Sequence, residues 1–124
     1  MHWSLVSDLR AALRSETTVR AAMLFGSIAK GTDTPSSDVD LIVDLDSQDP
    51  LAIRKLRQRL AEKVARPLDL FLLSDLEAEP ETLLPILSDA RPVVDRAGVW
   101  PRLGHQRRNL QSLARRRTLR ARKG

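Results

Sequence analysis

Hydrophobic and polar positions along this chain fall into blocks whose period changes from block to block. Residues 4–15 place Leu5, Leu9, Ala12 and Leu13 on one stripe at helical spacing, with Ser4 available as a cap, which predicts an amphipathic first helix. Residues 18–25 form a short apolar run stopped by Gly26, the pattern of a buried strand. From Val39 the period drops to two. Val39, Leu41, Val43 and Leu45 share one face, and Asp38, Asp40, Ile42, Asp44 and Asp46 share the other, which predicts a half-buried strand. Asp49-Pro50 supplies a cap and a first-turn proline, and Ile53, Leu56, Leu60 and Val64 follow at helical spacing until Pro67 ends the helix. Residues 68–73 give a third strand whose one charged member is Asp69.

The remaining segments are less regular. The stretch from Ser27 to Ser37 has the composition of a loop, with at most one helical turn just after Gly26-Ser27. Residues 81–88 predict a short helix interrupted at Pro85, and Pro92-Val93-Val94 a brief edge strand. Trp100 to about Arg120 is compatible with a helix carrying Leu103, Leu110, Leu113 and Ala114 as a narrow apolar stripe. Helices and strands therefore alternate, and the expected fold is α/β with a short mixed sheet and a basic C-terminal helix.

Composition refines this picture. A chain of 124 residues with 42% apolar content has room for one packed domain, taken here as 1–98, with 99–124 as a basic helical tail. The net charge of +5 conceals a split: residues 102–124 carry nine bases and no acid, leaving 12 bases against 16 acids in the body, which is thus about −4. A uniformly basic nucleic-acid-binding fold is excluded by that balance. With no cysteine, disulfides, thiolate metal sites and thiol nucleophiles are excluded too. No segment approaches the roughly 20 apolar residues that span a bilayer, and the first residues lack a leader pattern, so the expected location is cytoplasmic, without membrane contact.

The chemistry lies in the strands and the turn between them. Asp38 and Asp40, two apart on a strand, leave the same face roughly 7 Å apart along the backbone. Carboxylate oxygens at that spacing suit Mg²⁺ or Mn²⁺, and pairs of such ions clamp the attacking and leaving oxygens of a phosphoryl transfer. Asp69, in a neighbouring apolar strand, is the candidate third ligand and proton acceptor. Gly26-Ser27 ends the first strand where a helical turn begins, so its amides and hydroxyl can meet a phosphate, with Lys30 and Ser37 as further nucleotide contacts. An acidic alternating strand is ordinarily a solvated face, but Asp is depleted in strands and like charges on one face repel. Bound metal relieves that repulsion. Gly, Ser, Asp and Asp at these offsets should coincide by chance in roughly one chain in a thousand of this length, which favours the functional reading. His2 and His105 are expected to be surface residues.

Across residues 24–43 the chain resembles the minimal nucleotidyltransferases of the polymerase-beta superfamily, through Gly26-Ser27 followed by Asp38-Val39-Asp40. The resemblance implies the nucleotidyltransferase α/β core, Asp38, Asp40 and Asp69 as metal ligands, and Gly26 and Ser27 on the triphosphate of ATP. It further implies an antitoxin that transfers AMP to a HEPN-type toxin. Family members often stop soon after the last strand, whereas here a basic helix follows. That helix opens a second expectation, a non-catalytic antitoxin or nucleic-acid-binding module docking on RNA or DNA through residues 102–123.

Overall fold

The computed structural model describes residues 3–123, side chains excepted at positions 3, 110, 114 and 117–123. The chain order is α1 (Trp3–Arg14), β1 (Val19–Phe25), α2 (Gly26–Lys30), β2 (Val39–Leu45), α3 (Pro50–Val64), β3 (Leu68–Leu72), α4 (Leu73–Glu77), α5 (Pro80–Asp89), β4 (Arg91–Asp95) and α6 (Val99–Lys123). The four strands form one mixed sheet in the order β3-β2-β1-β4. β1 runs antiparallel to both β2 and β4, while β2 and β3, joined by the α3 crossover, are parallel. Among the described residues no helix is long and apolar enough to cross a membrane.

Both faces of the sheet are covered. On one, Leu9 and Leu13 of α1 and Leu56 and Leu60 of α3 pack against Ala22, Leu24, Val39, Leu41 and Val43. On the other, Leu73, Leu76, Leu83, Leu87, Val99 and Leu103 from α4, α5 and α6 pack against Ala21, Met23 and Ile42. This corrects the expectation for β2. The strand is not half-buried with a solvated second face, because Ile42 is fully buried beneath the helices of that side. Only the acidic ends of the face stay open. Two further differences are local: α4 begins at Leu73, inside the expected strand, and α5 continues through Pro85 rather than breaking there. The expected α6 stripe divides, since Leu103 is 1% exposed in the core and Leu113 is 50% exposed, while the side chains of Leu110 and Ala114 lie outside the described residues.

Local caps explain where the elements start and stop. The Asp49 side chain accepts from the Leu51 N–H at 3.2 Å and Pro50 fits the first turn, so α3 starts where the sequence indicates. It ends at Ala65, held left-handed at φ 54° with its N–H on the Ala61 carbonyl. After β4, two consecutive side chains tie the first and last helices together. Asp95 accepts from the N–H groups of Val99 and Trp100, both at 2.9 Å, capping α6. Arg96 donates to the carbonyls of Leu13, Arg14, Glu16 and Val19, which closes the C-terminal end of α1.

Candidate active site

The register of the sheet assembles a row of side chains across three strands. Phe25, the last residue of β1, pairs with Asp40 of β2, and Asp40 pairs with Asp69 of β3. Paired residues share a face, so Phe25, Asp40 and Asp69 stand side by side on the face that α4, α5 and α6 partly cover. The next row holds Met23, Ile42 and Phe71. The Phe25 and Phe71 rings meet edge to face with centroids 5.2 Å apart, flooring the carboxylates with aromatic surface. Asp38 lies one residue before β2 and is exposed, as is Asp69, whereas Asp40 is half-buried between them. Asp69 stands on an edge strand, where exposure leaves its carboxylate hydrated without a partner.

Asp40 carries the electrostatic strain of the row. Burial, then the neighbouring charge of Asp69, then that of Asp38, push its carboxyl above the usual carboxylate range. Among the described residues no three His, Asp or Glu side chains are gathered tightly enough to cage an ion alone. An all-oxygen donor set open on one side suits a hard divalent cation whose remaining ligands are waters and substrate phosphates.

Gly26 sits directly against this strain. Its φ of +73° is one that residues with a side chain rarely adopt, and a Cβ built there would collide with Oδ2 of Asp40 and lie 3.2 Å from its Cγ. The turn after β1 and the central carboxylate are therefore in contact, backbone to side chain. Gly26 opens α2, where the Ser27 carbonyl accepts from the Thr32 N–H at 3.0 Å and folds the following loop back. Ser37 closes that loop: its Oγ accepts from the Thr34 N–H at 2.8 Å. The Arg66–Asp33 ion pair, with side chains 17% and 3% exposed, anchors the same loop to the start of β3.

Lys30 lies on the other side of the turn and leans toward Asp89 of α5, Nζ to Oδ2 3.6 Å. Both side chains are about half exposed, so the pair holds the lysine weakly. Phe25, Gly26, Lys30, Pro85, Ile86 and Asp89 line an open cleft of ≈ 220 Å³ beside the carboxylate row. Phe25, Ile86 and Asp89 were not candidates in the sequence. Phe25 was legible only as the end of an apolar run, and Ile86 and Asp89 reach the cleft because α5 packs on α2 across more than fifty residues of chain.

A mixed sheet that sets a glycine-serine turn against an in-register carboxylate row defines a nucleotidyltransferase core. The chain belongs to the family described as polymerase beta, nucleotidyltransferase, which matches residues 7–97. No curated protein matches it in sequence. Its fold is similar to that of a toxin–antitoxin structure with AMP-PNP, with a TM-score of 0.72 at 21% identity, covering 95% of this chain and 96% of that one. It is also similar to the toxin–antitoxin MntA–HepT, with a TM-score of 0.65 at 18% identity over 96% and 95% of the two chains. A third similar structure is a tri-AMPylated Shewanella oneidensis HEPN toxin in complex with MNT antitoxin, with a TM-score of 0.57 at 17% identity over 95% and 99%.

Proposed function

We propose that this protein transfers AMP from ATP to a hydroxyl of a partner protein, as the antitoxin of a toxin–antitoxin pair whose toxin is of the HEPN type. One observation supports the catalytic part: Asp40 and Asp69 are in register and the Gly26 turn abuts Asp40, which sets the proposed phosphate-binding backbone beside the proposed acidic ligands. The similar structures support the choice of donor and partner, since one contains AMP-PNP and another an AMPylated HEPN toxin. An ATP donor fits a cytoplasmic reaction.

In this reading the amides after Gly26, with the Ser27 hydroxyl, receive the triphosphate, and Lys30 leaves Asp89 to meet its oxygens. Ser37 keeps the loop before Asp38 closed around the nucleotide. Asp38, Asp40 and Asp69 would hold two Mg²⁺ or Mn²⁺ ions, which would supply positive charge to offset that of the departing pyrophosphate. The raised carboxyl of Asp40 fits such a role, because a divalent cation would offset both the burial of its charge, the larger cause, and the repulsion from Asp69 and Asp38. Asp69, exposed at the end of the row, accepts the proton of the incoming hydroxyl.

The test is incubation with α-labelled ATP, Mg²⁺ and the product of the neighbouring gene. Label should pass to that protein from the wild type and fall by at least about a thousandfold for Asp38→Ala with Asp40→Ala, the scale of losing major charge stabilisation. Labelling that persists in the double variant would refute the mechanism.

A further inference from the structure

The carboxylate row ends at an open edge. β3 is the outermost strand, and among the described residues nothing pairs with it on the side away from β2. An edge strand presents unpaired N–H and C=O groups along its free side, a template for one more strand. Phe71 of β3 is 38% exposed and Leu51, beside Pro50 at the start of α3, is 55% exposed, while the Phe71 ring itself reaches inward to Phe25. On the sheet face opposite Asp69, Pro50, Ile53, Arg54, Arg57 and Leu70 line a groove of ≈ 230 Å³. Arg54 and Arg57 are exposed, and neither has an ion-pair partner among the described residues.

We infer that the acceptor segment docks on β3 as an added, extended strand: a hydroxyl-bearing residue flanked by acidic neighbours, with the hydroxyl on the Asp69 side and the acids on the Arg54 and Arg57 side. The geometry follows from strand alternation. A residue placed opposite Asp69 on a fifth strand continues the row Phe25, Asp40, Asp69 at the usual spacing of about 4.8 Å, and its neighbours point to the other face. Main-chain bonds to β3 give the segment its direction, and the two guanidinium groups select its charge.

The inference rests on the proposed transfer, and its chemistry balances within it. The segment's hydroxyl oxygen bonds to the α-phosphorus of the nucleotide, the bond from that phosphorus to the pyrophosphate oxygen breaks, and the hydroxyl proton passes to the Asp69 carboxylate. Pyrophosphate leaves with the electron pair.

Two measurements separate docking from chemistry. In the first, hydrogen exchange of the full chain is recorded with and without the product of the neighbouring gene. Amides of residues 68–72 should slow at least tenfold on binding while those of β4, at the opposite edge, are unchanged. Protection confined to other elements would overturn the inference, whether or not transfer occurs. In the second, labelling by ATP is compared for two nine-residue peptides with a central tyrosine flanked by aspartates or by lysines. Wild type should prefer the aspartate peptide at least tenfold, and Arg54→Glu with Arg57→Glu should reverse that order without changing nucleotide affinity. Equal labelling by both enzymes would overturn the edge model and leave nucleotidyl transfer standing. Labelling that survives Asp38→Ala with Asp40→Ala would instead refute the transfer, and with it the acceptor role of the edge.

Discussion

Gly26 and Asp40 compete for the same volume, and the fold resolves the competition by leaving position 26 without a side chain. Gly26→Ala should therefore do two kinds of damage. The positive φ disfavours alanine by about 1 kcal/mol or more, and the new methyl must displace the Asp40 carboxylate. We expect a lower midpoint in thermal denaturation together with loss of labelling, and retention of full activity would contradict the contact. Asp40→Asn should separate those effects, losing transfer while becoming more stable than wild type at neutral pH. The sign follows from the raised carboxyl: its protonated form is favoured by folding, so its stabilising contribution is complete below the unfolded value of about 3.9 and is lost as pH rises through the folded value. Denaturant titrations at pH 7 and pH 3.5 should show the asparagine advantage shrinking in acid.

Asp95 behaves in the opposite sense. Burial pushes its carboxyl up, but the N–H groups of Trp100, Val99, Ala97 and Gly98 outweigh burial and hold it below the ordinary carboxylate range. Its contribution to stability is therefore present above the unfolded value near 3.9 and disappears as pH falls through the lower folded one. Asp95→Ala should cost about 1 kcal/mol at neutral pH, the usual worth of a helix cap, and almost nothing in strong acid.

At the level of elements, the contrast between Leu103 and Leu113 tests where α6 stops being part of the core. Leu103→Ala should cost roughly 2–5 kcal/mol and Leu113→Ala less than about 0.5, as measured by chemical denaturation. Similar costs for both would mean that the exposed side chain is covered in solution. Most elements were legible because local signals agree: Asp49-Pro50 starts α3, the apolar stripe of α1 matches its buried face, and the glycine at 26 marks the end of β1. α4 was not legible, because Leu72-Leu73 continues an apolar run that has no period of its own, and a short run fits either a strand or a helix. Ile42 was read as solvated for a related reason. Alternation identifies two faces, but only the helices packed from 73 onward decide that both are buried.

Across the whole molecule, the candidate site was legible as residue types and not as an arrangement. The Gly26-Ser27 and Asp38-Val39-Asp40 motifs are contiguous in sequence, whereas the Asp40–Asp69 register depends on a parallel pairing through the α3 crossover, and the edge position of β3 depends on the order of all four strands. The basic end of the chain also acts at this scale. Residues 102–124 carry nine positive charges beside a body of about −4. Deleting residues 115–124 should weaken binding of the partner protein at low salt and leave nucleotide binding intact, a loss that fades as ionic strength rises and screening shortens to about 8 Å. Unchanged partner affinity at low salt would remove any docking role for these charges.

The clasp formed by Asp95 and Arg96 also bears on the order in which the protein is made. The carbonyls that close α1 at Leu13, Arg14, Glu16 and Val19 wait for a guanidinium about eighty residues downstream. Every residue of the candidate site is translated before that partner exists. A nascent chain arrested at residue 90 holds the motif but lacks β4, the α1 clasp and the α6 cap, and should remain open to protease. The released full-length chain should be resistant. Competence then comes late in synthesis, when the last strand has secured the first helix.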